Sequence, residues 1–116
     1  RDTLMATGYA VIDIQDSDMA AQRRLLAIRA ANLDAYRSLT EQVYGQYLDS
    51  TVTVSQMAVK SDTFRSRVEG VIYGATVVRI EPVGTETYEV TMALDKALVN
   101  DLRLLYLNQV AFRSTE

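Results

Sequence analysis

One uninterrupted helical segment limits, more than any other feature, how this chain can fold. No Gly or Pro occurs between Gly8 and Gly45, and apolar residues recur at helical intervals within this stretch, namely Ala21, Leu25, Ile28, Ala35, Leu39 and Val43. The spacing predicts a single helix over residues 18–45 with one apolar stripe. At the usual rise per residue such a helix is about 40 Å long. A small sheet is narrower than that, so we expect one end of the helix to overhang.

The predicted ends of this helix follow from short local signals. Asp16 or Ser17 is a suitable N-cap, and Gly45 is a suitable stop. Small residues flank the apolar stripe, at Ala27, Ala30 and Ala31, and they would let the helix lie close to a sheet. Gly8, inside the preceding apolar segment, marks either a bulge or such a close approach of the helix.

Four segments carry the alternation or the β-branched residues that predict strands, at 4–14, 47–56, 75–81 and 86–94. The last two are separated by Pro82–Thr85, which predicts a hairpin turn. Shorter helices are predicted at about 61–72, capped by Ser61 or Asp62, and at about 96–108, capped by Asp95. The inward residues would be Phe64, Val68 and Val71 or Ile72 in the first of these helices, and Leu98, Leu102 and Leu105 in the second, with Val99 and Tyr106 beside them.

The order of elements is therefore β-α-β-α-β-β-α. It predicts an α+β fold with a small, mainly antiparallel sheet and the long helix packed on one face. A length of 116 residues fits a single domain. We expect that domain to span residues 1–116, with its core at 4–108 and a frayed C-terminus at 109–116.

The composition argues against several classes of function. The chain has no Cys and no His, and its net charge is −3. Thiolate chemistry, disulfides and cysteine-ligated zinc are excluded, and acid–base catalysis near neutral pH loses its usual residue. A basic surface for nucleic acid is not expected. Asp13, Asp16 and Asp18 do not match a calcium loop, because Asp18 and Arg24 occupy the positions that need Gly and an acid. We expect no enzyme, cofactor, metal or nucleic acid.

Tyrosine is the most informative residue type, with seven Tyr against no Trp and two Phe. Tyrosine is enriched at protein interfaces, where its ring and its hydroxyl both find partners. It is equally suited to the rim of a core, with the hydroxyl in water, and the sequence leaves both interpretations open. On the first interpretation, the tyrosines combine with the predicted edge strand into one oligomer interface: Tyr44, Tyr47, Thr51, Thr53, Ser55, Tyr73 and Tyr106.

Three segments resemble a known family when they are taken together. They are ATGYAVI at 6–12, QRRLLAIRAANLDAYRSLTEQVYG at 22–45 and GATVVRIEPVGTETYEVTMALD at 74–95. In this order they resemble the FlgP family of flagellar outer-membrane lipoproteins, within the superfamily of twenty-kilodalton bacterial lipoproteins. The resemblance covers about residues 5–95.

The resemblance implies a location and a structural role. Members of the family are exported, lipidated at an N-terminal cysteine and held at the periplasmic side of the outer membrane, at the flagellar basal body. They build a homo-oligomeric ring or disc around the motor, with FlgO and FlgT as further ring proteins in some bacteria, and they support motility. The lipidated cysteine has no counterpart in this chain, and no catalytic residues carry over. The alternative is an envelope lipoprotein that binds peptidoglycan or a lipid ligand.

A charged residue at Tyr44 or Tyr47 is therefore expected to abolish assembly and leave the isolated fold intact. Mass measurement of the assembly, with circular dichroism of the isolated domain, checks this. Particles of unchanged size in both variants would contradict it.

Overall fold

The computed structural model describes residues 2–114, with side chains over 2–110. In chain order the elements are β1 Thr3–Val11, α1 Ala20–Tyr44, α2 Val54–Lys60, α3 Asp62–Tyr73, β2 Thr76–Val83, β3 Thr87–Asp95 and α4 Lys96–Ser114. The three strands form one antiparallel sheet in the order β1-β3-β2. The predicted α+β class, with a long helix on a small antiparallel sheet, is confirmed. None of the helices in this part of the chain is both long and apolar enough to cross a membrane.

The strand β1 and the helix α1 pack backbone to backbone at Gly8. A Cβ atom added to Gly8 would lie 2.2 Å from the amide nitrogen of Ala35 and 2.3 Å from the carbonyl oxygen of Ala31. The two backbones therefore touch, and only glycine fits at this position. The pairing of β1 with β3 runs without a register shift. Of the two interpretations of Gly8, close approach of the helix is confirmed.

In the first half of α1 the buried residues are not those of the predicted apolar stripe. The buried row of α1 consists of Ala27, Ala31, Ala35, Leu39 and Val43, whereas Leu25 is 60% exposed. Ala21 is also exposed. From its contact with Gly8, α1 runs back about 16 Å to its start, whereas β1 has only about 10 Å left. The first turns thus overhang the sheet, and alanines line the part that lies against it.

The start of α1 also differs from prediction. Met19 occupies the N-cap position without a side-chain hydrogen bond. The hydroxyl of Ser17 instead accepts a hydrogen bond from the Met19 amide at 3.1 Å and donates one to Gln22 at 3.0 Å. Ser17 is therefore used to close a turn just before the helix, and neither it nor Asp16 is the N-cap. The other end agrees with the prediction, because Gly45 follows directly on Tyr44.

The predicted strand at 47–56 is wrong. Only an isolated bridge between Tyr47 and Thr53 is present, and α2 begins at Val54. Thr53 and Gln56 form a capping box, in which each side chain accepts a hydrogen bond from the other's amide. The Asp49 carboxylate closes the preceding turn by accepting from the Val52 amide at 2.8 Å. These local hydrogen bonds outweigh the β-branched composition, so the element order is β-α-α-α-β-β-α.

The remaining elements follow the prediction with two exceptions besides the length of α4. The first strand ends at Val11 rather than at residue 14, and the buried face of α4 is turned from the predicted one, since Leu98 is 36% exposed and Leu105 is only partly buried. Ser61 caps α3 by accepting a hydrogen bond from the Phe64 amide at 3.1 Å, and Asp95 accepts one from Ala97 at 2.9 Å at the start of α4. Gly84 provides the left-handed residue of the hairpin, with a φ of 66°. The buried residues of these helices are Phe64, Val68 and Ile72 in α3 and Val99, Leu102 and Tyr106 in α4.

The last helix is longer than predicted. It continues to Ser114 instead of ending at about residue 108. Since no Gly or Pro occurs after Asp95, nothing in the local sequence interrupts it. Of the segment predicted to fray, Thr115 and Glu116 lie outside the described residues.

Substitution Gly8→Ala should lower the free energy of unfolding by at least about 2 kcal/mol, because the added methyl group would overlap backbone atoms that cannot move aside. Urea unfolding followed by circular dichroism measures it. Gly70→Ala is the matched control, since a Cβ there meets nothing within 4 Å and should stabilise α3 by up to about 1 kcal/mol. Equal stability of the two variants would contradict the close-packed contact.

Candidate assembly surface

The two outer edges of the sheet differ in how their backbone groups are satisfied. Along β1, the Asp34 carboxylate accepts a hydrogen bond from the Tyr9 amide at 3.0 Å. The Gln42 side chain donates one to the Met5 carbonyl, also at 3.0 Å. Both side chains come from α1, which packs on β1 and β3. The outer edge of β1 is therefore covered by the long helix and is not free to pair with another strand.

Near neutral pH the Asp34 carboxylate is ionised and accepts the hydrogen bond that covers the edge of β1. The hydrogen bond from the Tyr9 amide, with the nearby Arg37 guanidinium, holds the pKa of the Asp34 carboxyl below its usual value. Arg37 lies 2.6 Å from the carboxylate. A third side chain, Gln15, donates to the Val11 carbonyl at 2.9 Å and covers the far end of the same edge.

The outer edge of β2 is open. β2 pairs only with β3, and within residues 2–114 no hydrogen bond covers its other side. All eight of its residues are exposed, including the large apolar Val77, Val78, Ile80 and Val83, which are 43–51% exposed. Pro82 fits this position, because proline has no amide hydrogen and is confined to sheet edges.

The face of the sheet opposite α1 is partly exposed, although Thr91 at its centre is only 2% exposed. Met5 and Tyr9 are each about half exposed there. Tyr9, Glu89 and Glu81 form a row across the three strands. A hydrogen bond to the Glu89 carboxylate, together with its negative charge, raises the pKa of the Tyr9 hydroxyl. Two acids thus face each other across β3 and β2, and Arg79 lies 3.6 Å from Glu81.

Two of the predicted interface tyrosines point inward. Tyr44 packs partly buried against the core, and this burial, with the negative charge of Glu69, raises the pKa of its hydroxyl. Tyr106 is buried, and its hydroxyl donates to the Asp49 carboxylate at 2.8 Å. Their positions match the interpretation as a core rim. A charged residue at Tyr44 would therefore disturb packing, which makes Tyr47 the cleaner position for the assembly test.

The other predicted interface residues lie in two places, around the start of α2 and at the end of α3. Tyr47 and Thr51 lie exposed in the segment before α2, Thr53 is the cap of α2, and Ser55 is exposed on that helix. Tyr73 is 86% exposed at the end of α3. The edge-strand basis for choosing Thr51, Thr53 and Ser55 is wrong. Contact of any of these residues with a second subunit stays a prediction.

Sequence reasoning missed the open edge of β2. Two signals in the sequence disagreed: Pro82 follows the segment 75–81 directly, and that segment carries apolar residues on both sides. A strand with apolar residues on both faces normally indicates a central position, whereas a proline indicates an edge. Only the placement of α1 decides between these signals.

Comparison with known proteins identifies the family. The family model of the LPP20 lipoprotein matches residues 4–95, from β1 to the end of β3. The chain belongs to the LPP20 lipoprotein family. A search of curated proteins finds no match. The LPP20 family supports the predicted lipoprotein superfamily and indicates an envelope lipoprotein.

The segment before α2 should make the LPP20 domain sensitive to acid. Hydrogen bonds from the Thr51 amide, the Tyr106 hydroxyl and the Val52 amide lower the pKa of Asp49 to about 2. Because the folded pKa lies below the unfolded value of about 3.9, this carboxylate stabilises the fold above that value. The contribution is lost as the pH falls toward 2.

Asp49→Asn should therefore be less stable than the wild type at pH 7, and the difference should shrink between about pH 4 and pH 2. Urea unfolding at a series of pH values measures it. Asp13→Asn, on an exposed residue before α1, is the control and should follow the wild type. A stability difference for Asp49→Asn that does not change with pH would rule out this role of Asp49.

Proposed function

We propose that the domain is a structural subunit of an oligomeric ring or disc around the bacterial flagellar motor. It would lie at the periplasmic side of the outer membrane, at the basal body, and support motility. The observation that supports self-assembly is the open, apolar edge of β2, which supplies one contact between subunits; a closed ring needs a second contact surface besides it. Membership in the LPP20 family supports the envelope location. The resemblance of the three segments to the FlgP family supports the flagellar role, with FlgO and FlgT as proposed neighbours.

The exposed apolar residues of β2 favour association over a solitary domain. Single exposed apolar side chains are common on soluble proteins. Here Val77, Val78, Ile80 and Val83 follow one another along one strand whose outer backbone groups have no partner within residues 2–114. An edge with both properties is a ready template for another chain. Monomeric proteins usually block such edges, as this domain does at β1.

The alternative, a module that binds peptidoglycan or a lipid, has weaker support. An apolar cleft between α2 and α4 is lined by Val52, Met57, Lys60 and Tyr106, and it holds about 130 Å³. Pockets for small molecules typically hold at least about 300 Å³. This cleft is too small for an acyl chain or a disaccharide unit. A larger depression of about 430 Å³ on α3, lined by Asp62, Thr63, Ser66 and Arg67, is wide open to solvent, so assembly remains the function we propose.

Electron cryotomography of flagellated cells tests the proposal directly. Cells that lack the protein should lose density around the motor beneath the outer membrane and should swim less far in soft agar, and expression of the full-length precursor should restore both. Complete motors and normal swimming in the deletion strain would refute the flagellar role. Specific retention of the purified domain on peptidoglycan sacculi or lipid vesicles would favour the alternative.

A further inference from the structure

We propose that two copies of the domain pair edge to edge through β2, antiparallel to each other, about a two-fold axis at Ile80. The pairing would join two three-stranded sheets into one continuous sheet. It does not rest on the flagellar role. A second copy of this chain is the occupant because the edge is complementary to itself in charge and in register.

The hydrogen-bond pattern of the sheet shows which backbone groups of β2 point outward. The Ile12 amide donates to the Glu86 carbonyl on the β3 side, whereas the Tyr9 amide points away from the sheet to Asp34. Even-numbered residues of β1 therefore face β3, and their partners on β3 are even-numbered too. By alternation, the odd-numbered residues of β3 present their backbone groups to β2.

This alternation fixes the outward positions on β2. Arg79 is opposite Thr91 and Glu81 is opposite Glu89, so both direct their backbone groups toward β3. Ile80, between them, presents its amide and carbonyl to the open edge. Pro82 is the next outward residue, and its missing amide hydrogen leaves the ladder with β3 intact.

Charge selects one register among those that an antiparallel pair of β2 strands could adopt. Outward residues must oppose outward residues, and within the regular part of β2 between the register shift and Pro82 the two-fold axis falls at residue 79, 80 or 81. An axis at Arg79 places that arginine against its own copy, and an axis at Glu81 places two carboxylates together. Both arrangements are unfavourable. An axis at Ile80 places Arg79 of each copy opposite Glu81 of the other, which gives two pairs of opposite charge.

The same register also reduces the repulsion between two neighbouring acidic residues within each sheet. Glu81 and Glu89 face each other across β2 and β3, and like charges directly opposite are destabilising. Arg79 of the same chain lies 3.6 Å from Glu81. Pairing at Ile80 would bring a second arginine, from the other copy, beside each Glu81. Each acidic pair would then have two cations nearby.

The devices that protect this edge also restrict it to that register. Pro82 lacks a donor, and a register shift lies between Val77 and Arg79. Both shorten the ladder that any incoming strand could form, which is how edges avoid unspecific pairing. At the Ile80 axis, two hydrogen bonds between the Ile80 residues form at the centre of the ladder. In this register Pro82 takes part in the ladder only as a hydrogen-bond acceptor, through its carbonyl oxygen.

The covered edge of β1 explains why the pairing is two-fold. A head-to-tail continuation would place the β2 edge of one copy on the β1 edge of the next. Asp34 and Gln42 occupy that edge through hydrogen bonds to Tyr9 and Met5. The open edge of β2 therefore pairs with the β2 edge of a second copy, in an isologous contact.

Charge reversal tests the register in the full chain. Sedimentation equilibrium of the wild type, from micromolar to millimolar concentration, should show a monomer–dimer equilibrium. Arg79→Glu alone and Glu81→Arg alone should each raise the dissociation constant at least about tenfold, because two attractive cross-strand pairs become repulsive. Both side chains are about half exposed, so the fold should persist, and circular dichroism verifies it.

Restoration of the dimer is the decisive readout. The doubly substituted chain, Arg79→Glu with Glu81→Arg, should dimerise like the wild type. An equimolar mixture of the two single variants should form heterodimers, because each then faces opposite charges. Arg67→Glu, on the exposed surface of α3, gives the same change of net charge as Arg79→Glu but away from β2, and it should dimerise normally.

Three results would overturn the pairing: a wild type that stays monomeric throughout the range, single variants that dimerise unchanged, or a mixture that does not associate. None of these results decides the flagellar role, which electron cryotomography of the motor tests separately. Conversely, a two-fold dimer in solution with complete motors in the deletion strain would support this pairing and refute the flagellar role.

Discussion

The contact between Gly8 and α1 is the constraint on which the rest of the structure depends. Because glycine has no Cβ, the backbone of β1 touches the backbone of α1 at Ala31 and Ala35. This fixes the helix over β1 and β3 and requires alanines where it crosses the sheet. The same placement carries Asp34 and Gln42 over the outer edge of β1 and leaves β2 uncovered.

The asymmetry of the two edges follows from that placement and connects the fold to assembly. Three strands at a spacing of about 4.8 Å make a sheet about 14 Å wide, and a helix about 10 Å wide that packs on β1 and β3 does not extend over β2. The side of the sheet nearest α1 is closed by its polar side chains, and the opposite side keeps unpaired backbone groups and exposed apolar residues. In an envelope lipoprotein of the LPP20 family, such a closed and open pair of edges limits growth of the sheet to one side.

At residues 47–56 the composition predicts a strand, whereas the structure has a turn and the start of α2. Thr51, Val52, Thr53 and Val54 have the β-branched side chains that favour strands. The Asp49 turn and the capping box of Thr53 and Gln56 satisfy backbone groups locally, and they do so in a turn and a helix start. The capping box can be recognised in the sequence as a Thr followed three positions later by a Gln. The same kind of signal at Ser61 and Asp95 correctly placed α3 and α4.

The sequence by itself determined the α+β class, the long helix and its end at Gly45, the hairpin at Gly84 and the inward residues of α3, since these depend on periodicity, caps and turn residues that lie close together in the chain. It could not decide which edge is open, or that Tyr106 turns inward to meet Asp49. Those features depend on where α1 and α4 come to lie on distant segments. Only tertiary packing brings a helix side chain such as Asp34 to a strand 25 positions away, and that contact decides which backbone groups remain exposed.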